Sequence, residues 1–169
     1  MIIHNTPLRI PPSGARGLIY KQMKKPILVA AFLFALLMSN SAETKTIGLR
    51  FADIGNGNGA EVSFQSTMGK ANRLELDLGA YSQSFRLAAI LQWKWNLNQL
   101  GPGFAWYAGG GLSAGSYYGN NIGLGILGQI GIEYNFNIPL QISFDWRPTI
   151  WNSYYTYYNG TGLAVRYRF

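Results

Sequence analysis

The chain has 169 residues, of which 48% are hydrophobic, 15% are aromatic and 12% are charged, and its formal net charge is +7. This composition excludes an intrinsically disordered chain, and the 21 glycines together with the many tyrosines and tryptophans favour short strands and turns over helices. The sequence contains no cysteine, which excludes disulfide bonds, thiolate metal sites and a cysteine nucleophile.

The positive charge lies mainly at the start of the chain. Five basic residues and no acidic residue precede Pro26, whereas the residues from Glu43 onward contain nine Lys or Arg and seven Asp or Glu. A net charge of +2 over these 127 residues leaves no cationic face that could follow a phosphate backbone. We therefore predict that the protein does not bind nucleic acid.

Residues 23–42 have the three parts of a secretory signal peptide. Lys24 and Lys25 form a basic start, residues 26–38 are an uninterrupted apolar run, and small residues follow up to Ala42. The apolar run has 13 residues, which is too short for a helix that crosses a bilayer. Because Met23 opens this pattern, we interpret residues 1–22 as an upstream extension, residues 23–42 as a cleavable signal helix and residues 43–169 as the mature domain.

The mature domain is dominated by an alternation of apolar and polar residues with a period of two. In residues 85–97, for example, Leu87, Leu91 and Trp93 share one face and Arg86 and Gln92 share the other, whereas a helix would scatter both sets. Turn residues divide the domain into eight such segments, at 44–54, 60–68, 72–82, 85–97, 104–115, 122–136, 140–149 and 160–169. The sequence therefore predicts an all-β fold, an eight-stranded antiparallel up-and-down transmembrane β-barrel.

Alternation alone does not decide whether the apolar face points into a core or out into lipid. A secreted, soluble lipocalin-like barrel that binds an apolar ligand would bury this face, whereas an outer-membrane barrel would expose it. Three observations favour membrane lipid as the partner: aromatic residues gather at strand ends of one boundary, the polar face mixes both charges with small residues, and the sequence ends on Phe169. We expect a periplasmic aromatic girdle of Trp93, Trp95, Phe104, Trp106, Tyr134, Phe136, Tyr167 and Phe169.

Two stretches of the sequence resemble parts of small bacterial outer-membrane barrels. Residues 162–169, GLAVRYRF, are similar to the C-terminal signal of such barrels in their aromatic last and third-last positions, although Ala164 and Gly162 depart from its usual pattern. Residues 131–136 and 139–148 resemble the sixth and seventh strands of small barrels common in Bacteroidota. The resemblance implies an eight-stranded barrel of the OmpX or OmpA transmembrane type in the bacterial outer membrane, and a C-terminal strand that the barrel-insertion machinery binds. It implies no particular activity.

The mature domain lacks the residues of familiar catalytic machinery. His4, in the upstream extension, is the one histidine of the sequence, so Ser-His and Asp-His pairs and imidazole metal sites are excluded from the barrel. Residues 123–128 match G-x-G-x-x-G, but the strand period continues through them where a dinucleotide-binding turn would open a helix. We predict no catalytic, cofactor or metal site, and a lipid-modifying outer-membrane enzyme is the less favoured alternative.

Charged residues of both signs share the polar face of the strands. Because charges in a narrow lumen have to pair, we expect an interior ion-pair network that includes Asp145 and Arg147, two residues apart on one segment. Its predicted members are Arg50, Glu61, Arg73, Glu75, Asp77, Arg86, Lys94, Glu133, Asp145, Arg147, Arg166 and Arg168.

The longest connection, at residues 150–159, is rich in aromatic residues. Its Trp151, Tyr154, Tyr155, Tyr157 and Tyr158 are typical either of a surface that contacts an extracellular ligand or of the outer interfacial belt of a barrel. Both interpretations stay open at this stage. We predict an integral outer-membrane barrel with a structural or cell-surface interaction role.

The segment pattern also predicts the orientation of the barrel. With the first strand entering from the periplasm, the connections near residues 55–59, 83–84, 116–121 and 150–159 are extracellular, and those near 69–71, 98–103 and 137–139 are periplasmic. A membrane-impermeant maleimide should therefore label Asn58→Cys on intact cells, and should label Gly101→Cys only after the outer membrane is permeabilised. Equal labelling of the two variants on intact cells would contradict this orientation.

Overall fold

A computed structural model describes residues 44–53, 58–81, 84–117, 121–152 and 158–169. The predicted upstream extension and signal peptide lie outside the described residues. Nine β-segments occur: β1 (Lys45–Asp53), β2 (Asn58–Met68), β3 (Asn72–Tyr81), β4 (Ser84–Asn96), β5 (Phe104–Tyr117), β6 (Asn121–Asn135), β7 (Leu140–Trp146), β8 (Thr149–Trp151) and β9 (Thr161–Arg168). Among the described residues, no helix is long and apolar enough to cross a membrane.

The nine segments form one closed antiparallel barrel of eight strands. Consecutive segments pair from β1 to β7, and β9 closes the barrel by pairing with both β7 and β1. β7 and β8 belong to one barrel strand because they share one register with β6, where Trp146 pairs with Ile130 and Thr149 with Leu127. Pro148 interrupts the ladder between them since it has no N–H to donate. The predicted eight-stranded up-and-down barrel is confirmed.

The strand register sets the tilt of the barrel. From Arg50, the directly paired residues can be followed around the barrel in two directions until both routes reach β4. The route through β2 and β3 ends at Arg86. The route through β9, β7, β6 and β5 ends at Asn96. The ten-residue offset between these two ends is the shear of the barrel. With strands about 4.8 Å apart and a rise of about 3.3 Å per residue, this shear corresponds to a strand tilt of about 40°.

The apolar face of the barrel points outward. Leu87, Leu112 and Ile126 are 50%, 67% and 67% exposed, whereas the inward-facing Arg50 and Glu75 are 1% and 0% exposed. A soluble barrel would show the opposite distribution, with its apolar side chains in the interior. The outer surface is instead a continuous apolar belt of the kind that lipid covers. This distribution excludes the lipocalin-like alternative.

Glycines on the inner face make room for large lumenal side chains. A Cβ atom at Gly131 would lie 2.5 Å from the ring of Tyr107, and one at Gly162 would lie 2.3 Å from the guanidinium carbon of Arg50. Both distances are far shorter than a van der Waals contact. The glycine content of the strands therefore follows from the size of the charged and aromatic residues that fill the lumen.

Candidate functional site

All twelve predicted network residues occupy inward-facing positions of the strand alternation. Ten of them are buried: Arg50, Glu61, Arg73, Glu75, Asp77, Arg86, Glu133, Asp145, Arg147 and Arg166. Lys94 and Arg168 are partly exposed and lie at the rim where β1 begins and β9 ends, which we call the terminal rim. The opposite rim is called the loop rim.

Near the loop rim, Glu61 and Arg50 join strands β1, β2, β3, β4 and β7. Arg50 donates to Glu61 at 2.7 Å and makes a two-pronged contact with Asp145 at 2.5 and 3.1 Å. The second oxygen of Glu61 accepts hydrogen bonds from Arg86 at 2.7 and 3.0 Å and from the Tyr81 hydroxyl. All three guanidinium nitrogens of Arg50 therefore donate, and the planar group holds the carboxylates of Glu61 and Asp145 in a fixed geometry.

Arg147 is the centre of the network. Its guanidinium donates to Asp77 at 2.6 Å and to Glu75 at 2.5 Å, and it lies 3.6 Å from Glu61 and 3.9 Å from Asp145. Arg147 immediately precedes Pro148, at the gap between β7 and β8, and its backbone N–H donates to the carbonyl of Gly160 on the β9 side. One cation thus interacts with four carboxylates that three different strands supply.

A second group of charges lies nearer the terminal rim. Arg73 donates to Glu133 and to the side-chain carbonyl of Gln92, and its guanidinium lies over the ring of Tyr107 at 4.5 Å. Glu133 also accepts from Asn135 at 3.0 Å, and Lys94 lies 3.8 Å away. At the terminal-rim end of the lumen, this group therefore contains the buried ion pair of Arg73 with Glu133 and the longer, partly exposed pair of Lys94 with Glu133.

Uncharged residues connect the two groups, and sequence analysis did not predict them as site residues. Glu75 accepts hydrogen bonds from Gln65 at 2.5 Å and from Gln92 at 2.8 Å, and also from Arg166 at 3.3 Å. Arg166 additionally donates to the Ser63 and Ser143 hydroxyls at 2.9 and 2.7 Å. These residues occupy the polar positions of the same alternation, so the pattern could have identified them. A small apolar cluster also lies inside the barrel, formed by Ala88, Ile90 and Leu127.

Arg168 is a member of the predicted set that the structure does not join to the ion pairs by any contact among the described residues. Its guanidinium donates to the backbone carbonyls of Phe136 and, at 2.9 Å, Ile138. These carbonyls belong to the turn between β6 and β7. Arg168 therefore connects the last strand to a terminal-rim turn and lies at the edge of the lumen.

The charges of the buried group balance. Five arginines face five carboxylates, and each arginine lies within 4 Å of at least one carboxylate. Pairing of this kind is the condition under which charges can be held away from water without a large desolvation cost. Within the described ranges, no group of three His, Cys, Asp or Glu side chains is placed to hold a metal ion. The arrangement can fill the lumen and hold strands together.

The predicted girdle residues gather at the terminal rim. Trp95 and Trp106 pair across β4 and β5 with their rings stacked 4.4 Å apart, and the rings of Phe104 and Tyr134 pair across β5 and β6 at 4.6 Å. The rings of Phe136 and Phe169 lie 4.6 and 6.3 Å from those of Tyr134 and Tyr167, while Trp93 is outward-facing on β4. All eight residues come from β4, β5, β6, β9 and their ends, so they line one part of the rim.

The aromatic connection at residues 150–159 is described at its two ends. Asn152 exchanges two hydrogen bonds with the backbone of Leu124, at 2.9 and 3.0 Å, while Trp151 is partly buried on β8. At the other end, Tyr158 is 64% exposed and its carbonyl accepts a hydrogen bond from the Trp146 indole at 2.5 Å. The predicted contact residues Tyr154, Tyr155 and Tyr157 lie outside the described residues.

No family model matches the chain, and no curated protein sequence matches it. Solved structures do match. The N-terminal β-barrel domain of Pseudomonas aeruginosa OprF is 14% identical, with a TM-score of 0.60, and the match covers 75% of this chain and 97% of that domain. A structure from the de novo design of transmembrane β-barrels is 13% identical, with a TM-score of 0.58 and coverage of 75% and 95%. Neisserial surface protein A is 13% identical, with a TM-score of 0.48 and coverage of 75% and 94%.

These similarities show the fold, which is that of small transmembrane β-barrels. Together with the exposed apolar belt, this fold shows that the protein is an integral transmembrane β-barrel, an architecture typical of bacterial outer membranes. The chain resembles the OmpA and OmpX type of barrel in its eight antiparallel strands and its side-chain-filled interior.

Removal of the central cation should strongly destabilise the barrel. In Arg147→Leu, Glu75 and Asp77 lose their shortest charged partner, so we expect the free energy of unfolding to fall by about 3–5 kcal/mol. Lys94→Leu is the matched control, because its 3.8 Å pair is partly exposed and its loss should cost about 1 kcal/mol or less. Urea titration in detergent micelles, followed by tryptophan fluorescence, measures both. Equal losses in the two variants would contradict a central role for Arg147.

Proposed function

We propose that this protein is a closed, non-catalytic outer-membrane barrel that serves as a structural element of the membrane and as a scaffold for an interaction surface at its loop rim. The observation that carries the proposal is the filled lumen. Its carboxylates are at most 1% exposed, and they contact arginines and amides in place of water. An interior of this kind offers neither a solute pathway nor a binding cavity.

The same burial supports a non-catalytic role. A carboxylate that acts as a general acid or base has to reach the substrate, and its protonation has to change during the reaction. Glu61, Glu75 and Asp145 are enclosed in the lumen and accept hydrogen bonds from arginines, so a substrate in the membrane does not reach them. The outward positions that face lipid are mainly apolar and offer no nucleophile with a neighbouring base among the described residues. A lipid-modifying enzyme is therefore the weaker candidate.

The filled lumen has a direct electrical consequence. Purified protein inserted in a planar lipid bilayer should show no discrete conductance steps, because the Arg147 cluster and the Arg73 and Glu133 pair block the lumen at two levels. A known porin inserted under the same conditions is the control for bilayer quality. Regular ohmic steps from the wild-type protein would contradict a closed barrel.

The connection at residues 150–159 supports the interaction role. It is held on one side by Asn152 and on the other by the hydrogen bond between Trp146 and Tyr158, so a fixed base presents its aromatic sequence. Tyrosine and tryptophan offer a large amphipathic contact area at a low entropic cost, which suits recognition of polysaccharide or protein. The outer interfacial belt is the second candidate role, since aromatic residues also favour the membrane boundary.

Substitution of the loop tyrosines separates these two roles. The variant with Ser in place of Tyr154, Tyr155, Tyr157 and Tyr158 should bind immobilised polysaccharide or host-cell surfaces at least tenfold more weakly on whole cells, about the effect of losing one aromatic anchor. Its urea midpoint should stay that of the wild type. Tyr134→Ser, at the terminal rim, is the control and should leave surface binding unchanged. A destabilised barrel with unaltered binding would assign the tyrosines to the belt.

A further inference from the structure

The charges that remain outside the buried ion pairs are divided unequally between the two rims. From Glu43 onward the sequence has nine basic and seven acidic residues, and five of each belong to the buried lumenal network. The remaining basic residues all lie at the terminal rim: Lys45, Lys70, Lys94 and Arg168. The remaining acidic residues are Glu43, which lies outside the described residues, and Asp53, where β1 ends at the loop rim. The terminal rim is therefore the basic end of the barrel.

The connections of the loop rim, by contrast, contain no charged residue. Residues 54–57, 82–83, 118–120 and 152–160 consist of Gly, Asn, Ser, Tyr, Thr, Gln and Ile. Arg86, near the start of β4, is buried and donates to Glu61, so it is not available to an external anion. The chain thus offers lysine ammonium groups to lipid phosphates at the terminal rim and none at the loop rim.

At the terminal rim, Lys70 and Lys94 lie close together, and we call them the rim lysines. Lys70 is exposed in the turn between β2 and β3, and the carbonyl of the next residue, Ala71, accepts a hydrogen bond from the Lys94 N–H at 2.9 Å. The Lys94 side chain is 36% exposed, and its ammonium lies 3.8 Å from Glu133. Because Glu133 also pairs with Arg73, these three groups together keep a net charge of one positive unit. Within the described ranges, the Lys70 ammonium has no carboxylate partner.

The other two basic residues of this rim contribute less to its excess charge. Arg168 donates to two backbone carbonyls in the turn between β6 and β7. Lys45 is buried at the start of β1, where Glu43 precedes it in the sequence. Its backbone hydrogen-bonds to Phe169, whose carboxylate is a further negative charge on this side. The uncompensated positive charge is therefore concentrated at the rim lysines.

Three tryptophans face the membrane beside the rim lysines. Trp93 and Trp95 flank Lys94 on β4 and are 43% and 44% exposed, and Trp106 stacks on Trp95 with its ring centroid 4.4 Å away. In the part of the chain that the structure describes, the indole N–H groups of Trp93 and Trp95 have no hydrogen-bond partner. Indole rings at the membrane boundary favour the head-group region, where the N–H can donate to phosphate or ester oxygens.

We propose that the rim lysines and these tryptophans bind the head group of an anionic glycerophospholipid in the leaflet that surrounds the terminal rim. Lys70 contacts the lipid phosphate, and the N–H groups of Trp93 and Trp95 donate to its phosphate or ester oxygens. The acyl chains follow the apolar belt along β3 and β4. Charge complementarity carries this assignment, because the loop rim has the same kind of apolar belt below it but no lysine or arginine in its connections.

Lys94 acts on the lipid phosphate at a distance. Its position on β4 faces the lumen, so its ammonium lies on the inner side of the wall. Eight strands tilted by about 40° enclose a barrel with a radius of about 8 Å, and the screening length at physiological ionic strength is also about 8 Å. The ammonium therefore attracts a phosphate at the perimeter without touching it. This site does not depend on the interaction surface at the loop rim, so it stands if that role is wrong.

Photo-crosslinking with two matched lipids tests the site. The protein, purified from membranes, is placed in phosphatidylcholine nanodiscs that contain either phosphatidylglycerol or phosphatidylcholine with a diazirine close to the ester group, at equal mole fraction. Mass spectrometry identifies the crosslinked peptides. At the peptide that contains Trp93 and Trp95, phosphatidylglycerol should crosslink about fivefold more than phosphatidylcholine, since one lysine near a membrane surface contributes about 1 kcal/mol. At loop-rim peptides the two lipids should crosslink equally.

Substitutions at each rim separate charge from other causes of lipid binding. The double variant Lys70→Gln and Lys94→Gln should lose the preference for phosphatidylglycerol, whereas the matched control Lys70→Arg and Lys94→Arg keeps the charge and should retain it. Asn58→Lys should create a preference of about fivefold at the loop rim. Heat-modifiable gel migration verifies that each variant is folded.

Two crosslinking results would overturn the proposal: equal labelling of the Trp93 peptide by both lipids in the wild type, or a preference that persists in the double glutamine variant. Replacement of chloride by inorganic phosphate at constant ionic strength should leave the preference unchanged. Loss of the preference in phosphate would also overturn the proposal, because the rim lysines would then bind a free anion instead of a lipid head group.

Discussion

Pairing of buried charge is the constraint on which the rest of the structure depends. Lipid surrounds the barrel and side chains fill it, so a lumenal carboxylate can be stabilised only by a cation or a hydrogen-bond donor of the protein itself. The structure meets this requirement with five arginines for five carboxylates, and Arg147 alone lies within 4 Å of four of them. An amide adds to this pairing at Glu133, where Asn135 donates to the carboxylate oxygen that Arg73 does not contact.

The same constraint connects strands that are distant in sequence. Arg50 and Asp145 are 95 residues apart, and their contact holds the first strand against the seventh across the inside of the barrel. Arg166 and Glu75, 91 residues apart, join the last strand to the third. The charge network is therefore a set of cross-braces inside a hydrogen-bonded wall. Under the proposed function, this filled lumen leaves the loop rim and the lipid-facing wall as the surfaces for interaction.

The strands were largely predictable, and their exceptions have physical causes. The predicted segment 85–97 agrees closely with β4, and the segment 104–115 covers β5 except for its last two residues. Both predictions succeed because the alternation is regular in these segments. The segment 140–149 ends two residues short of this strand, which continues to Trp151 beyond Pro148. Proline usually ends a ladder, but here the carbonyl of Pro148 still accepts from Gly128 and the register with β6 is retained.

The sequence by itself determined the eight strands and the face of its strand on which each residue lies. It also determined that the charged residues gather on one of the two faces. These features are readable because a strand's period of two is a local property. Only the tertiary structure decided which charges meet. Asp145 and Arg147 share a strand and lie 3.9 Å apart, yet Asp145 makes its closest ion pair with Arg50, and Arg147 makes its closest ones with Glu75 and Asp77. The physical reason is the shear: contacts across the lumen depend on the stagger of eight tilted strands, and that stagger exists only once the barrel is closed.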